Sequence, residues 1–174
     1  MCADVQADES NNSINQKTAD NKYLTFWIKE QLFGLPAFDV IQIVGMQPIT
    51  PNPEFPRYAK GIINLRGEII PVIDMRLRLH RDEADYDERT CIVIANMQEK
   101  QVGLIVDTVE EVSEIAPGQI SPPPQTTGDI TNVFLTGVAQ LDGRITLLLD
   151  TEKILTEDEL AVVIKKSEGE NEEC

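Results

Sequence analysis

From Tyr23 onward the chain alternates in the period of a half-buried strand: Leu24, Phe26 and Ile28 interleave with Tyr23, Thr25 and Trp27. Lys29 to Gln31 turns the chain back, and Leu32 to Leu35 is the expected hairpin partner. The same opening recurs in Cys91 to Ala95, a polar turn around Gln98 to Lys100, and Val102 to Val106, so that Phe33-Gly34-Leu35 matches Val102-Gly103-Leu104. Asp39 to Val44 and Asp107 to Val112 come next, with Asp39/Asp107, Ile41/Val109 and Val44/Val112 expected in register.

A longer segment also repeats. Gly61 to Asp74 returns as Gly137 to Asp150, with Gly61/Gly137, Leu65/Leu141, Gly67/Gly143, Ile69/Ile145 and Asp74/Asp150 identical. Each copy runs into residues that fit one or two helical turns, Met75 to Leu79 and Thr151 to Leu155. Internal repetition of this kind decides architecture before any single motif does. The Asp142-Gly143 pair suits a type I′ hairpin turn, which needs positive φ at both central residues, and Arg66-Gly67 serves the first copy.

Pro48 to Pro56 and Pro117 to Pro124 read as loops, because proline cannot donate to a central ladder. Many short strands with frequent turn signals predict an all-β architecture of two small barrels or curled sheets, the second packed on the first. Leu160, Val163 and Ile164 recur at helical spacing, predicting a C-terminal helix over Glu157 to Lys166 that covers a barrel end. The polar stretches 1–22 and 167–174 read as solvated tails, leaving 23–166 as the ordered domain, with subdomains at roughly 23–82 plus the C-terminal helix and 90–155.

Charge and composition narrow the function. The chain of 174 residues carries a net charge of -15, and all of its segments are acidic. Nucleic acid is therefore excluded as a partner, since binding it requires a cationic surface, and anionic lipid is disfavoured for the same reason. No apolar run reaches transmembrane length, and residues 1–21 lack the pattern of a signal peptide. Three scattered cysteines, Cys2, Cys91 and Cys174, form neither a disulfide framework nor a metal-ligand spacing, which fits a reducing cytoplasm.

The residues offer little for catalysis. His80, the single histidine, lies among Arg78, Arg81 and Asp82 and reads as a surface residue. Asp74 and Asp150 end repeated strands just before short helices, where a carboxylate accepts the free amides of the first turn, so capping outweighs a catalytic dyad. The acidic run Asp82 to Glu88 lacks the spacing of a calcium loop, and the repeated glycines are turn and bulge residues. No cofactor, metal or enzymatic activity is expected; a duplicated unit without reactive groups reads as a docking module.

Three segments carry a family resemblance: Lys60 to Arg76, Val102 to Val112, and Leu135 to Asp150. Together they resemble the CheW-type coupling proteins of bacterial chemotaxis, over about Tyr23 to Val163. The resemblance implies two SH3-like, five-stranded β-barrel subdomains and a non-catalytic adaptor. It implies two partners, the cytoplasmic tip of a methyl-accepting chemoreceptor and the regulatory domain of a CheA-type histidine kinase, with other CheW-like domains as further neighbours. The expected location is cytoplasmic, at membrane-associated and often polar receptor arrays. Carried over by motif, the receptor-side candidates are Asn64, Arg66, Val109 and Val112, and the kinase-side candidates are Ile41, Ile43, Val44 and Cys91. The family usually has Val-x-Glu-Ile where this chain has Ile41-Gln42-Ile43-Val44, while Glu111 stands in the expected corresponding place of the second copy. That departure leaves open an adaptor of the same fold in surface motility or biofilm signalling.

Overall fold

The computed structural model describes residues 21–123, 133–141 and 143–172. Residues 1–20 of the expected N-terminal tail, and Asp142 of the expected turn, lie outside them; Lys22 already opens the first strand. The strands are β1 (Lys22–Ile28), β2 (Gln31–Pro36), β3 (Val40–Gly45), β4 (Ala59–Leu65), β5 (Glu68–Asp74), β6 (Cys91–Met97), β7 (Lys100–Val106), β8 (Thr108–Glu114), β9 (Ile120–Ser121), β10 (Leu135–Leu141) and β11 (Arg144–Leu149). Short helices α1 (Met75–Arg78) and α2 (Thr151–Ile154) follow β5 and β11, and α3 (Glu157–Glu172) closes the described chain. The fold is all-β apart from these.

The strands form two sheets, ordered β8-β1-β2-β11-β10-β9 and β3-β6-β7-β5-β4. Exchanging β1 with β6, β2 with β7, β3 with β8, β4 with β10 and β5 with β11 converts one order into the other. Even the two-residue β9 has a counterpart, the bridge from Thr50 to Ile62 on the outer side of β4. The repeats at 23–82 and 90–155 are thus not the sheets: β3 of the first repeat joins the second repeat's hairpin, and β8 of the second joins the first's. Each sheet needs both halves of the chain, which ties their folding together.

The equivalence extends to atoms. β2 and β11 pair in parallel with Gly34 opposite Leu148, and β7 and β5 do so with Gly103 opposite Val72. A Cβ on Gly34 would sit 2.8 Å from Leu148 Cδ2, and one on Gly103 would sit 2.7 Å from Val72 Cγ1. Both positions need glycine because a neighbouring side chain fills the space.

Pairing corrects the expected register by one residue. Val109 lies opposite Phe26 and Val112 opposite Leu24, while Val40 lies opposite Ala95 and Ile43 opposite Val93. The counterparts are therefore Val40/Val109 and Ile43/Val112, not Ile41/Val109 and Val44/Val112. Likewise Gln42, rather than Ile43, answers to Glu111. From the equivalent Gly34 and Gly103 the chain takes the same number of residues to reach Val40 and Val109, so Phe38, and not the expected Asp39, stands where Asp107 does.

Among the described residues the buried apolar side chains gather in three cores. One lies in the second sheet's barrel (Ile63, Ile70, Val72, Ile92, Ile94 and Ile105) and a smaller one in the first (Ile115, Ala139 and Leu148). The largest draws on both sheets, through Phe26, Phe33, Val93 and Leu104 among others, and takes Leu160 and Val163 from α3. The C-terminal helix thus packs over the junction of the barrels and onto β5, and it continues to Glu172, through most of the stretch expected as a tail from 167. Of Pro117 to Pro124, expected as loop alone, the described residues 117–123 contain a 3-10 turn and β9, and Pro124 lies outside the described residues.

Candidate functional site

No group of three or more His, Cys, Asp or Glu side chains suited to a metal ion occurs among the described residues. The repeated aspartates cap helices as their position predicts. Asp74 Oδ1 accepts from Arg76 N at 2.9 Å, and Asp150 Oδ1 accepts from Glu152 N at 3.0 Å. Asp74 is fully buried and also takes the Tyr86 hydroxyl on Oδ2 at 2.7 Å. Burial and that carboxylate push the Tyr86 phenol up. His80 is exposed, with its ring stacked on Phe134.

What the structure offers instead is apolar surface on edge strands. β3 forms one edge of the second sheet and β8 one edge of the first, with β4 and β9 at the opposite edges. On β3, Ile41 and Ile43 are 47% and 42% exposed, and on β8 Val112 is 57% exposed. Exposed β-branched side chains on an edge ask for a partner, because such an edge left bare invites unspecific association. Val44 and Val109 are half-buried against the cores, so each contributes mainly to packing.

The kinase-side candidates gather in one place. Ile41, Ile43 and Val44 share β3, and Cys91 opens the neighbouring β6 opposite Gly45, half-buried, with its Sγ donating to Arg89 O at 3.3 Å. Phe38, just before β3 and 63% exposed, extends this apolar surface. The sequence reading missed it, since alternation marks strands but not a bulky side chain left outside between them.

The receptor-side candidates fall in two groups. Val109 and Val112 lie on β8 in the first sheet, while Asn64 and Arg66 lie at the β4–β5 turn in the second. Asn64 Oδ1 accepts from Gly67 N at 2.9 Å, closing a turn in which Arg66 and Gly67 both have positive φ, 55° and 89°. Arg66 is exposed on that tight turn.

Two charged networks tie the short helices to the rest of the fold. Arg76 Nε donates to Asp107 Oδ1 at 2.6 Å beside the root of β8. Arg78 donates from Nε to Ile154 O at 2.6 Å and from Nη2 to Glu159 Oε1 at 2.7 Å, with its guanidinium over the Tyr58 and Phe134 rings. Glu159 also forms a capping box with Thr156: Thr156 N donates to Glu159 Oε1 at 3.1 Å and Glu159 N to Thr156 Oγ1 at 3.2 Å. The Thr156-x-x-Glu159 spacing before an apolar run was a readable signal for this helix start, and the sequence reading did not use it.

Asp39, next to β3, is held differently. Its Oδ2 accepts from Thr151 Oγ1 at 3.0 Å. Burial raises its pKa, the Thr151 bond opposes this, and the nearby Asp150 and Glu152 raise it further.

Residues 22–159 match the family model described as CheW-like domain. The chemotaxis protein CheW of Klebsiella aerogenes is 33% identical over 147 residues, 84% of this chain and 89% of that protein. A probable chemotaxis protein CheW of Rhizobium etli is 35% identical over the same share of this chain and 94% of its own length. Among solved structures, the scaffolding protein TtCheW of Thermoanaerobacter tengcongensis superimposes with a TM-score of 0.74 at 36% identity, covering 80% of this chain and 95% of that one. With the two exchanged sheets and the matched span, the chain belongs to the CheW-like domain family.

Proposed function

We propose that this protein is a non-catalytic adaptor of a chemotaxis pathway, which holds a chemoreceptor's cytoplasmic tip and the regulatory domain of a CheA-type histidine kinase at the same time. The observation that carries the reading is the pair of exposed aliphatics at equivalent positions on two separate sheet edges, Ile43 on β3 and Val112 on β8. Two edges on different sheets let both partners bind without competing. Each contact would draw its affinity from a few aliphatic anchors, with a charged residue such as Arg66 setting orientation. The kinase meets β3, Phe38 and Cys91, and the receptor helix meets β8 and the β4–β5 turn. Coupling then arises from placement, since a scaffold that binds two partners in fixed geometry makes the state of one depend on the other.

The name of the solved relative, a scaffolding protein, and those of the chemotaxis relatives support this reading. No helix among the described residues is long and apolar enough to cross a membrane, so association with a receptor array would run through the receptor. Co-sedimentation tests the proposal. The protein should pellet with receptor-bearing membranes, carry the kinase regulatory domain with it, and bind that domain alone in a calorimetric titration. No heat of binding to the kinase domain of the same genome's pathway would sink it.

A further inference from the structure

Asp107 is the single residue between β7 in the second sheet and β8 in the first, and its polar groups reach three elements. Its amide donates to Trp27 O at the end of β1 at 3.0 Å. Its Oδ2 accepts from Lys29 N in the β1–β2 turn at 2.7 Å, and its Oδ1 accepts from Arg76 Nε at 2.6 Å. The Arg76 backbone is fixed in turn, its amide on Asp74 and its carbonyl receiving Arg81 N at 2.7 Å. The chain's passage between sheets is thus pinned to the β1–β2 hairpin on one side and to α1 on the other.

Two features mark this pair as geometric rather than merely stabilising. Arg76 is only 8% exposed, yet its Nη1 is buried without a hydrogen-bond partner. A buried cation left partly unsatisfied is poor value for stability, and what a polar network of this kind supplies is a unique arrangement. The equivalent crossing from β2 to β3 is built otherwise. It passes through the 3-10 turn Ala37–Asp39, which has no buried residue, and the Asp39 carboxylate is held by Thr151. The root of β8 is thus held by an ion pair with a buried arginine, and the root of β3 by a hydroxyl.

We propose that Arg76 and Asp107 are positioning residues for β8: the pair fixes where that strand enters the first sheet, and so sets Val109 and Val112 for the receptor helix. This rests on the receptor-side reading of β8 given above. Arg76 and Asp107 side chains are 10% and 20% exposed, consistent with acting through the strand rather than by touching the partner.

The test uses the full chain, as Asp107→Asn and as the double variant Asp107→Asn/Arg76→Gln, which leaves no unpaired buried charge if the single variant fails to fold. Amide hydrogen exchange is followed for residues 108–114 and 40–45. Affinities are measured for a soluble receptor-tip hairpin and for the kinase regulatory domain. The folded variant should exchange at least tenfold faster over 108–114, unchanged over 40–45, and bind the receptor hairpin at least tenfold more weakly with kinase affinity held within twofold. Unchanged exchange over 108–114, parallel loss of both affinities, or failure of both variants to fold each overturns the proposal, assigning the pair to general stability. Wild-type protein that binds neither partner would instead overturn the adaptor reading, while the exchange measurement still decides whether the pair fixes β8.

Discussion

Thr146 and Ile70 occupy equivalent places in the two barrels, and Thr146 brings a buried hydroxyl that has no hydrogen-bond partner. Both side chains are almost wholly buried, Ile70 within an aliphatic cluster. An unmet buried hydroxyl costs about 1–3 kcal/mol. Thr146→Val keeps the shape and removes the hydroxyl, so it should stabilise the protein by about 1 kcal/mol, raising Tm by roughly 2–4 °C. Calorimetric melting of the two proteins decides it, and a lower Tm for the valine variant would show that the hydroxyl is satisfied in solution.

Arg78 should be the residue on which the C-terminal helix depends. It reaches Glu159 and the Ile154 carbonyl while lying over Tyr58 and Phe134, with its side chain 11% exposed. Arg78→Ala removes these ties together and takes the cation from Glu159, which keeps only the Thr156 amide and the Tyr58 hydroxyl, so a loss of about 2–4 kcal/mol is expected in urea unfolding. Exchange should rise first in Glu157–Val163. A variant as stable as the parent would show that Leu160 and Val163 suffice to seat the helix.

The Tyr58–Glu159 bond, 3.0 Å from hydroxyl to Oε2, gives stability a pH window. Burial works against the Glu159 charge, but the Thr156 amide, the Tyr58 hydroxyl and Arg78 together hold its pKa below the ordinary glutamate value. Its contribution is therefore present above the unfolded pKa and lost as pH falls through the folded one. Tyr58 moves the other way, pushed up to about 12 by burial and by Glu159. Its contribution is full below the ordinary tyrosine value and is lost as pH rises through about 12. Unfolding free energy measured against pH should fall on both limbs, and Glu159→Gln should flatten the acid limb. An acid limb unchanged in that variant would remove Glu159 from the account.

The duplication was legible because identical glycines and aspartates recur at equal spacing, and so was the use of Asp74 and Asp150 as caps. The exchange of strands was not. Alternation states which side chains are half-buried, but a β3 that pairs with β6 and one that pairs with β1 have the same period. The one-residue register error has a similar origin: Asp39 and Asp107 are like residues just before matching strands, and only the pairing shows that Phe38 holds the place equivalent to Asp107. For the same reason the exposure of Ile43, against the half-burial of Val44, became visible only with the pairing in hand.

The two equivalent glycines should respond unequally to a methyl group. On Gly103 a Cβ meets Val72 Cγ1 at 2.7 Å and Ile92 Cγ2 at 2.8 Å, both on β-branched side chains with little freedom to turn. On Gly34 it meets Leu148 Cδ2 at 2.8 Å, the end of a longer side chain that can shift. Gly103→Ala should cost about 2–3 kcal/mol and Gly34→Ala about 1 kcal/mol, within the range for overpacked cores. Denaturant melts of both variants give the order, and a reversal would mean that the first barrel is the more rigid.

Ile43→Glu and Val112→Glu separate the two edges. Both side chains are substantially exposed, so each substitution should change stability by no more than about 0.5 kcal/mol. A carboxylate in the middle of a dry contact must be desolvated without a partner, which should weaken binding by at least tenfold, equivalent to about 1.4 kcal/mol. Ile43→Glu is expected to lose the kinase regulatory domain and keep the receptor hairpin, and Val112→Glu to do the reverse. Surface plasmon resonance with each partner immobilised reads both. If either variant lost both partners while remaining folded, the two edges would belong to a single continuous site, and the independence on which the adaptor reading depends would be gone.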